Sequence, residues 1–391
     1  MSGSRFRRIA GLIVDSVNPR RSVFGKVRAM SGGRFIGLVT SFLFPVFGCS
    51  VSAPPGVADS AAWTDGSNNP VLAGDPSSPW MQAVGDPVVL RDGSVFKMWF
   101  AGHVFQGDPD EGITEIGYAT SADGANWSVR PEPVLHVGDP GEWDASSVET
   151  PAVIRKEDGT FEMWYSGFGA FAHDSTASPE DALFKIGHAV SPDGIEWTKD
   201  PANPVLDIAP EQPDVWDAWG VADPHVIKDG ETYRMWYTGA GLRDERLILQ
   251  IGYATSSDGT RWTRYADNPV LPVGPTGSWD GRMVAQPGVF ADGETLVMLY
   301  AGNDRAVGEE GEEDAAMTGD LGLALSADGI HWTRSAEPIL RKGASGTWNA
   351  LGVWGPTGVV DGGTYKMWYS GVALGSENIR TGVGYATRQA P

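Results

Sequence analysis

An all-β fold, a five-bladed β-propeller completed by its own N-terminal strand, is predicted over residues 63–391 by three observations. The first is an internal repeat. A block of the form x-Pro-x-Val, Asp-Gly, Met-Trp-Tyr-x-Gly, Ile-Gly-Tyr-Ala-x-Ser-x-Asp-Gly-x-x-Trp recurs five times, about 63 to 72 residues apart. The second is the punctuation: Asp-Gly pairs such as Asp92-Gly93, Asp123-Gly124, Asp158-Gly159 and Asp193-Gly194 fall between apolar runs, the short-range signal for a hairpin. The third is a sixth, partial copy ahead of the first.

Each copy holds four β segments, the content of one propeller blade. The aromatic segment reads Lys97-Met-Trp-Phe-Ala-Gly102, Glu162-Met-Trp-Tyr-Ser-Gly167, Arg234-Met-Trp-Tyr-Thr-Gly239, Val297-Met-Leu-Tyr-Ala-Gly302 and Lys366-Met-Trp-Tyr-Ser-Gly371. The next begins at Ile116, Ile186, Ile251, Leu321 and Val383. With 52 glycines, 27 prolines and 16 tryptophans, the composition also suits many short strands and tight turns, and little helix is expected. The fifth copy stops at Thr387, short of its fourth strand, while Trp63 to Leu72 matches Trp262 to Leu271 with the same spacing from Trp to Asn-Pro-Val-Leu. The N-terminal strand is therefore expected beside Val383–Thr387, removing an open sheet edge. The Met-Trp-Tyr and Ser-x-Asp-Gly-x-x-Trp elements recur in nearly every copy, so they read as packing between blades and as turns.

Residues 1–48 read as a signal or leader segment and 49–62 as a linker. The apolar run Phe35–Gly48 spans 14 residues, too short for a membrane span and suited to a signal h-region. It ends at Val46-Phe47-Gly48-Cys49, which resembles a bacterial lipobox, so Cys49 is the expected site of lipidation. The mature chain is then expected to be exported, held at the periplasmic or outer cell surface. Met30 offers an alternative start. Cys49 is the sole cysteine, so internal disulfides are excluded. Without residues 1–48, which carry eight basic residues and one acid, the formal net charge falls from −21 to −28. Such a field disfavours nucleic acid and anionic lipid; a monomer touching membrane only through its lipid is expected.

Strand alternation sends the Asp-Gly turns to one face and the long connections Phe168–Phe184, Leu242–Leu249 and Asn303–Asp320 to the other, the expected working face. Where each innermost strand starts on that face, the copies differ: Asp86-Pro, Glu149-Thr-Pro, Asp223-Pro, Gln286-Pro and Gly355-Pro. Residues that break the repeat at equivalent positions are where an asymmetric site can be built. Asp86, Glu149 and Asp223 are the candidate catalytic acids. Trp219, His225, Arg282, Gln286 and Trp354 stand within a few residues of those starts and are candidates for binding substrate. No metal or cofactor motif appears, and a carboxylate-rich axis leaves calcium open.

With acids on the first three blades, the chain resembles the five-bladed glycoside hydrolase superfamily that includes arabinanases, β-xylosidases, levansucrases, invertases and mannoside phosphorylases. The likeness runs from Trp63 to Gln389. It implies a carbohydrate substrate, with Asp86 in the place of the base or nucleophile; Glu149 and Asp223 depart from the family order of acids. Two carboxyls are what glycoside cleavage needs, one protonated at the leaving oxygen and one ionised. Asp86 as base or nucleophile, Glu149 as acid and Asp223 as their partner is one assignment; exchange of the last two is the other. The rival readings are a glycoside phosphorylase and a non-catalytic propeller that binds glycan or protein.

Overall fold

A computed structural model describes residues 62–105, 112–170, 179–208, 215–243, 246–304, 319–374 and 379–390. Cys49 and the leader lie outside them. The regular structure of the described chain is strand, with one short 3-10 turn at Pro179–Ala182.

Two short strands, β1 (Thr64–Asp65) and β2 (Leu72–Ala73), come first. Repeat one supplies β3 (Ala83–Asp92), β4 (Val95–Val104), β5 (Ile113–Ser121) and β6 (Ser128–Val129). Repeat two supplies β7 (Ser147–Arg155), β8 (Phe161–Phe168), β9 (Lys185–Ser191) and β10 (Thr198–Lys199). Repeat three gives β11 (Gly220–Asp229), β12 (Thr232–Arg243), β13 (Arg246–Ser256) and β14 (Thr263–Arg264). Repeat four gives β15 (Met283–Asp292), β16 (Thr295–Asn303), β17 (Asp320–Ser326) and β18 (Thr333–Arg334); repeat five ends with β19 (Gly352–Asp361), β20 (Thr364–Leu374) and β21 (Ile379–Gln389). Strands consecutive within a repeat pair antiparallel, and single parallel bridges, Thr114 to Ser147 and Leu249 to Met283, join repeats one to two and three to four. The result is two eight-stranded sheets and one five-stranded sheet. In the last, β1 pairs with β21 (Thr64 opposite Thr387) and β2 with the same strand (Leu72 opposite Val383), the neighbour that the repeat register requires.

The tryptophan of Met-Trp-Tyr latches each repeat to the next. Trp99, Trp164, Trp236 and Trp368 are fully buried, and their indole N–H groups donate to the carbonyls of Gly194, Gly259, Gly329 and Gly124, each in the following repeat. A buried indole carries one donor that must be satisfied, and the Asp-Gly turn supplies the acceptor. That turn is itself rigid: Ser121 Oγ accepts the N–H of Gly124, and Asp123 Oδ1 accepts those of Ala125 and Asn126. Repeat four has Leu299 in place of tryptophan. The repeat that follows it has no Ser-x-Asp-Gly turn after β21, so an indole there would have no such acceptor.

A second device is the asparagine of Asn-Pro. Asn69, Asn203 and Asn268 each take the N–H of a third-strand residue on Oδ1 and return a hydrogen bond from Nδ2 to that residue's carbonyl, at Tyr385, His188 and Tyr253. Asn69 thus does for repeat five what Asn268 does for repeat three.

A third is a buried trio that changes as a set. In repeats two to four a tyrosine hydroxyl and a cation from the outermost strand converge on one carboxylate oxygen: Tyr165 and Lys199 on Asp144, Tyr237 and Arg264 on Asp217, Tyr300 and Arg334 on Asp280. These aspartates are at most 3% exposed, so the pairing offsets a burial cost that a lone charge would not survive. Repeat one has Met81, Phe100 and Val129 at the same places, all packed in one apolar cluster. Repeat five has Asn349, Tyr369 and, on the N-terminal strand, Asp65, which accepts the Tyr369 hydroxyl at 2.6 Å.

Candidate active site

The first strands of the repeats touch in the cyclic order β3, β7, β11, β15, β19 and back to β3. Each is broken at its x-Pro step by a bulge: Gly85 and Val88 of β3 pair with β4, but Asp86 and Pro87 do not, and the same gap recurs in β7, β11, β15 and β19. Proline has no N–H for the ladder, so the step falls where pairing is forfeited. The residue before proline is left-handed in all five: Asp86 (φ 50°), Thr150 (φ 47°), Asp223 (φ 51°), Gln286 (φ 56°) and Gly355 (φ 54°). Four of these five are not glycine, and one is β-branched, an unfavourable backbone held by its surroundings. All five line one opening with about 330 Å³ of empty space, with Val88, His225 and Thr357 a step further along their strands.

This ring corrects one expectation. Thr150, not Glu149, is the counterpart of Asp86 and Asp223; Glu149 stands one residue earlier, opposite Ser166, at the place that Trp354 holds in repeat five. Glu149 is nonetheless close enough to Asp86 and Asp223 for their charges to act on it. Asp86 and Asp223 therefore line the opening together, and Glu149, near both, is not part of the lining.

Hydrogen bonds distinguish them. Gly355 N–H donates to Gln286 Oε1 at 3.0 Å, which fixes the amide and turns Nε2 toward Asp86 Oδ1 at 3.4 Å. Trp354 Nε1 donates to the same oxygen at 2.9 Å. Asp223 is served by the hydroxyls of Thr238 and Thr150 and by Gln286, so one amide lies between the two aspartates. All three acids are at intermediate exposure but walled by protein, and burial is the main cause that raises each: Glu149 to about 8, with the charges of Asp86 and Asp223 adding to it; Asp86 to about 7, with Asp223 adding; Asp223 to about 6, held lowest by its three donors. Burial likewise pushes His225 down to about 4, so it is neutral near pH 7.

The remaining predicted residues divide. Gln286 and His225 line the opening, and Trp354 reaches it through Asp86. Trp219 is 2% exposed in an apolar cluster with Phe168, Phe184 and Leu247, away from the lining. Arg282 is not in the lining either; its backbone N–H donates to Asn303 O. Thr150 and Thr238 escaped the sequence reading, although Thr150 precedes proline as Asp86 does. Among the described residues no group of three or more His, Cys, Asp or Glu is arranged to hold a metal ion.

Known proteins share this architecture. A family profile described as beta-1,4-mannooligosaccharide phosphorylase matches residues 172–250, which include Asp223 and His225. An uncharacterized protein of Mycobacterium tuberculosis is 31% identical over 191 residues, covering 48% of this chain and 56% of that one. A beta-1,2-mannobiose phosphorylase of Thermoanaerobacter is 32% identical over 134 residues, covering 34% of this chain and 42% of that one. The matches thus span about half the length of these relatives. Among solved structures, one described as a glycoside hydrolase superposes with a TM-score of 0.62 at 19% identity, covering 84% of this chain and 90% of its own. Another, from work stating that the mannoside phosphorylase family contains glycoside hydrolases targeting beta-1,2 mannosidic linkages, has a TM-score of 0.59 at 17% identity over 83% of this chain and 93% of its own. The propeller fold and the likeness to propeller glycoside hydrolases and phosphorylases stand together.

Proposed function

We propose that the chain is a five-bladed propeller glycoside hydrolase that cleaves a β-mannoside with its axial carboxylates. The observation that carries the reading is the presence of Asp86 and Asp223 in the lining of one opening, with Glu149 close enough to feel both charges and all three proton affinities raised and graded. The cyclic contact of five first strands supports the blade count, and the mannoside-acting relatives support the substrate class. Glu149, with the highest affinity, is the proton donor to the leaving oxygen. Asp86, gripped on one oxygen by Trp354 and Gln286, is the base or nucleophile. Asp223, the most hydrogen-bonded, stays ionised and holds the proton on Glu149 through its charge. Water is favoured over phosphate as acceptor, because the ionised carboxylates of Asp86 and Asp223 repel an incoming anion.

The test is a screen of aryl glycosides and of β-1,2- and β-1,4-mannobiose, with and without phosphate, on the parent, Asp86→Asn and Glu149→Gln. Turnover without phosphate that drops about 100-fold to 10,000-fold in each variant, with Tm retained, is the expected result. Turnover only with phosphate would make the chain a phosphorylase. Equal turnover in parent and variants, or none in the parent beside retained sugar binding, would leave a binding propeller.

The Phe35–Gly48 run and Cys49 support a further reading, an exported lipoprotein. Partition of Cys49→Ala into detergent at the parent's level would refute it.

A further inference from the structure

The left-handed ring is held by hydroxyls that come from the neighbouring repeat. Ser370 Oγ accepts the N–H of Asp86 at 2.7 Å, Ser166 Oγ that of Asp223 at 2.8 Å, and Thr238 Oγ1 that of Gln286 at 2.9 Å. In each case the hydroxyl belongs to the x of Met-Trp-Tyr-x-Gly one repeat earlier, and for Asp86 that repeat is the last one, across the closure. The five occupants of x are Ala101, Ser166, Thr238, Ala301 and Ser370. The two alanines stand one repeat before Thr150 and Gly355, the two members of the ring with neither acid nor amide. A hydroxyl is thus present wherever the next repeat offers Asp or Gln to the axis, and absent elsewhere. Packing alone does not ask for it, since Ala101 and Ala301 are equally buried at 5% and 0%.

At the closure the last repeat does more than cap an amide. Trp354 donates to Asp86 Oδ1, and Gly355 leaves room for that oxygen: a Cβ at 355 would stand 2.8 Å from it. Asp86 therefore leans into repeat five, tethered through both its backbone and its carboxylate.

We propose that Ser370 is a positioning residue for Asp86, accepting the N–H of a left-handed backbone so that the carboxylate is aimed at the axis. The inference rests on Asp86 being a carboxylate of the glycosidase reaction. An acceptor at the amide fixes the one torsion from which the side chain departs; without it the backbone can relax toward ordinary φ, carrying the carboxylate away from Trp354.

The experiment compares the full chain with Ser370→Ala, Ser370→Thr and Ser370→Cys, the last keeping the size but only a weak acceptor. kcat and KM are measured across pH, Tm alongside, and the Asp86 carboxylate is titrated by carbon NMR. Expected are a fall in kcat of about 10-fold to 100-fold for Ala and Cys with KM within about twofold, a displaced Asp86 titration, and recovery in Thr. Parent kcat and an unmoved titration in Ala or Cys would overturn the proposal. So would equal losses in Ala, Cys and Thr that track Tm. If the parent has no turnover, the glycosidase reading fails by itself. The Asp86 titration still decides whether Ser370 sets that carboxylate.

Discussion

Glu149→Gln should stabilise the protein in alkaline solution, and the gain should disappear in acid. Burial, reinforced by the charges of Asp86 and Asp223, raises the carboxyl from 4.5 to about 8. An acid raised on folding binds its proton more tightly in the native state. Its contribution is complete below pH 4.5 and is lost as pH climbs toward 8, where the folded chain must carry a charge that the unfolded chain accepts at no cost. A gap of about 3.5 pH units sets a ceiling of about 5 kcal/mol. Glu149 is partly exposed and solvent screens part of this penalty, so about half of that ceiling, ~2 kcal/mol, is the expected difference. For a domain of this size it corresponds to a rise in Tm of roughly 3 °C near pH 9. Calorimetry of parent and variant at half-unit steps from pH 4 to pH 9 checks it. Glutamine nearly copies a protonated glutamate, so the two should agree within about 1 kcal/mol at pH 4. A difference in Tm that stays constant across the range, or a variant less stable at pH 9, would refute the account of Glu149 as a walled, proton-holding carboxyl.

Further outcomes follow from the scaffold. Trp236→Phe should cost about 0.5 to 1.5 kcal/mol for the lost hydrogen bond, because the Gly329 carbonyl keeps its second indole donor, Trp332, whereas Leu299→Trp should bring no compensating gain; equilibrium urea unfolding compares them. Arg334→Met should cost about 3 to 5 kcal/mol because Asp280 is left buried beside Tyr300 without its cation, while the triple change Asp280→Met, Tyr300→Phe, Arg334→Val, which copies repeat one, should cost clearly less in the same assay. Deleting residues 62–73 should bare the edge of β21 and turn the protein to aggregates seen by light scattering, with fresh loss of soluble activity; a monodisperse deletion variant would refute the role of β1 and β2.

What the sequence by itself determined is the part that repeats. Hairpin turns, four segments per copy and the N-terminal fragment beside β21 were legible because each copy writes the same local chemistry. The Asn69 and Asn268 contacts show that matching words make matching bonds. It was also enough to single out the x-Pro steps, where the copies disagree. Only the tertiary structure decided what depends on neighbours across repeats. Glu149 was read as the counterpart of Asp86, but a left-handed residue at each bulge shifts the alternation of side chains. Thr150 takes that counterpart's place, and Glu149 stands one residue earlier, opposite Ser166 and outside the lining. Leu299 replaces tryptophan where the partner turn is missing, and Asp65 of the N-terminal strand takes the place of the outermost-strand cation and accepts the Tyr369 hydroxyl. Trp219 and Arg282, each four residues ahead of Asp223 and Gln286, fall outside the lining because they precede the inner strands, which begin at Gly220 and Met283. Sequence periodicity reports what every repeat shares with itself; the site is made of differences between repeats, and those acquire meaning only when the ring brings residues 86, 150, 223, 286 and 355 together around one opening.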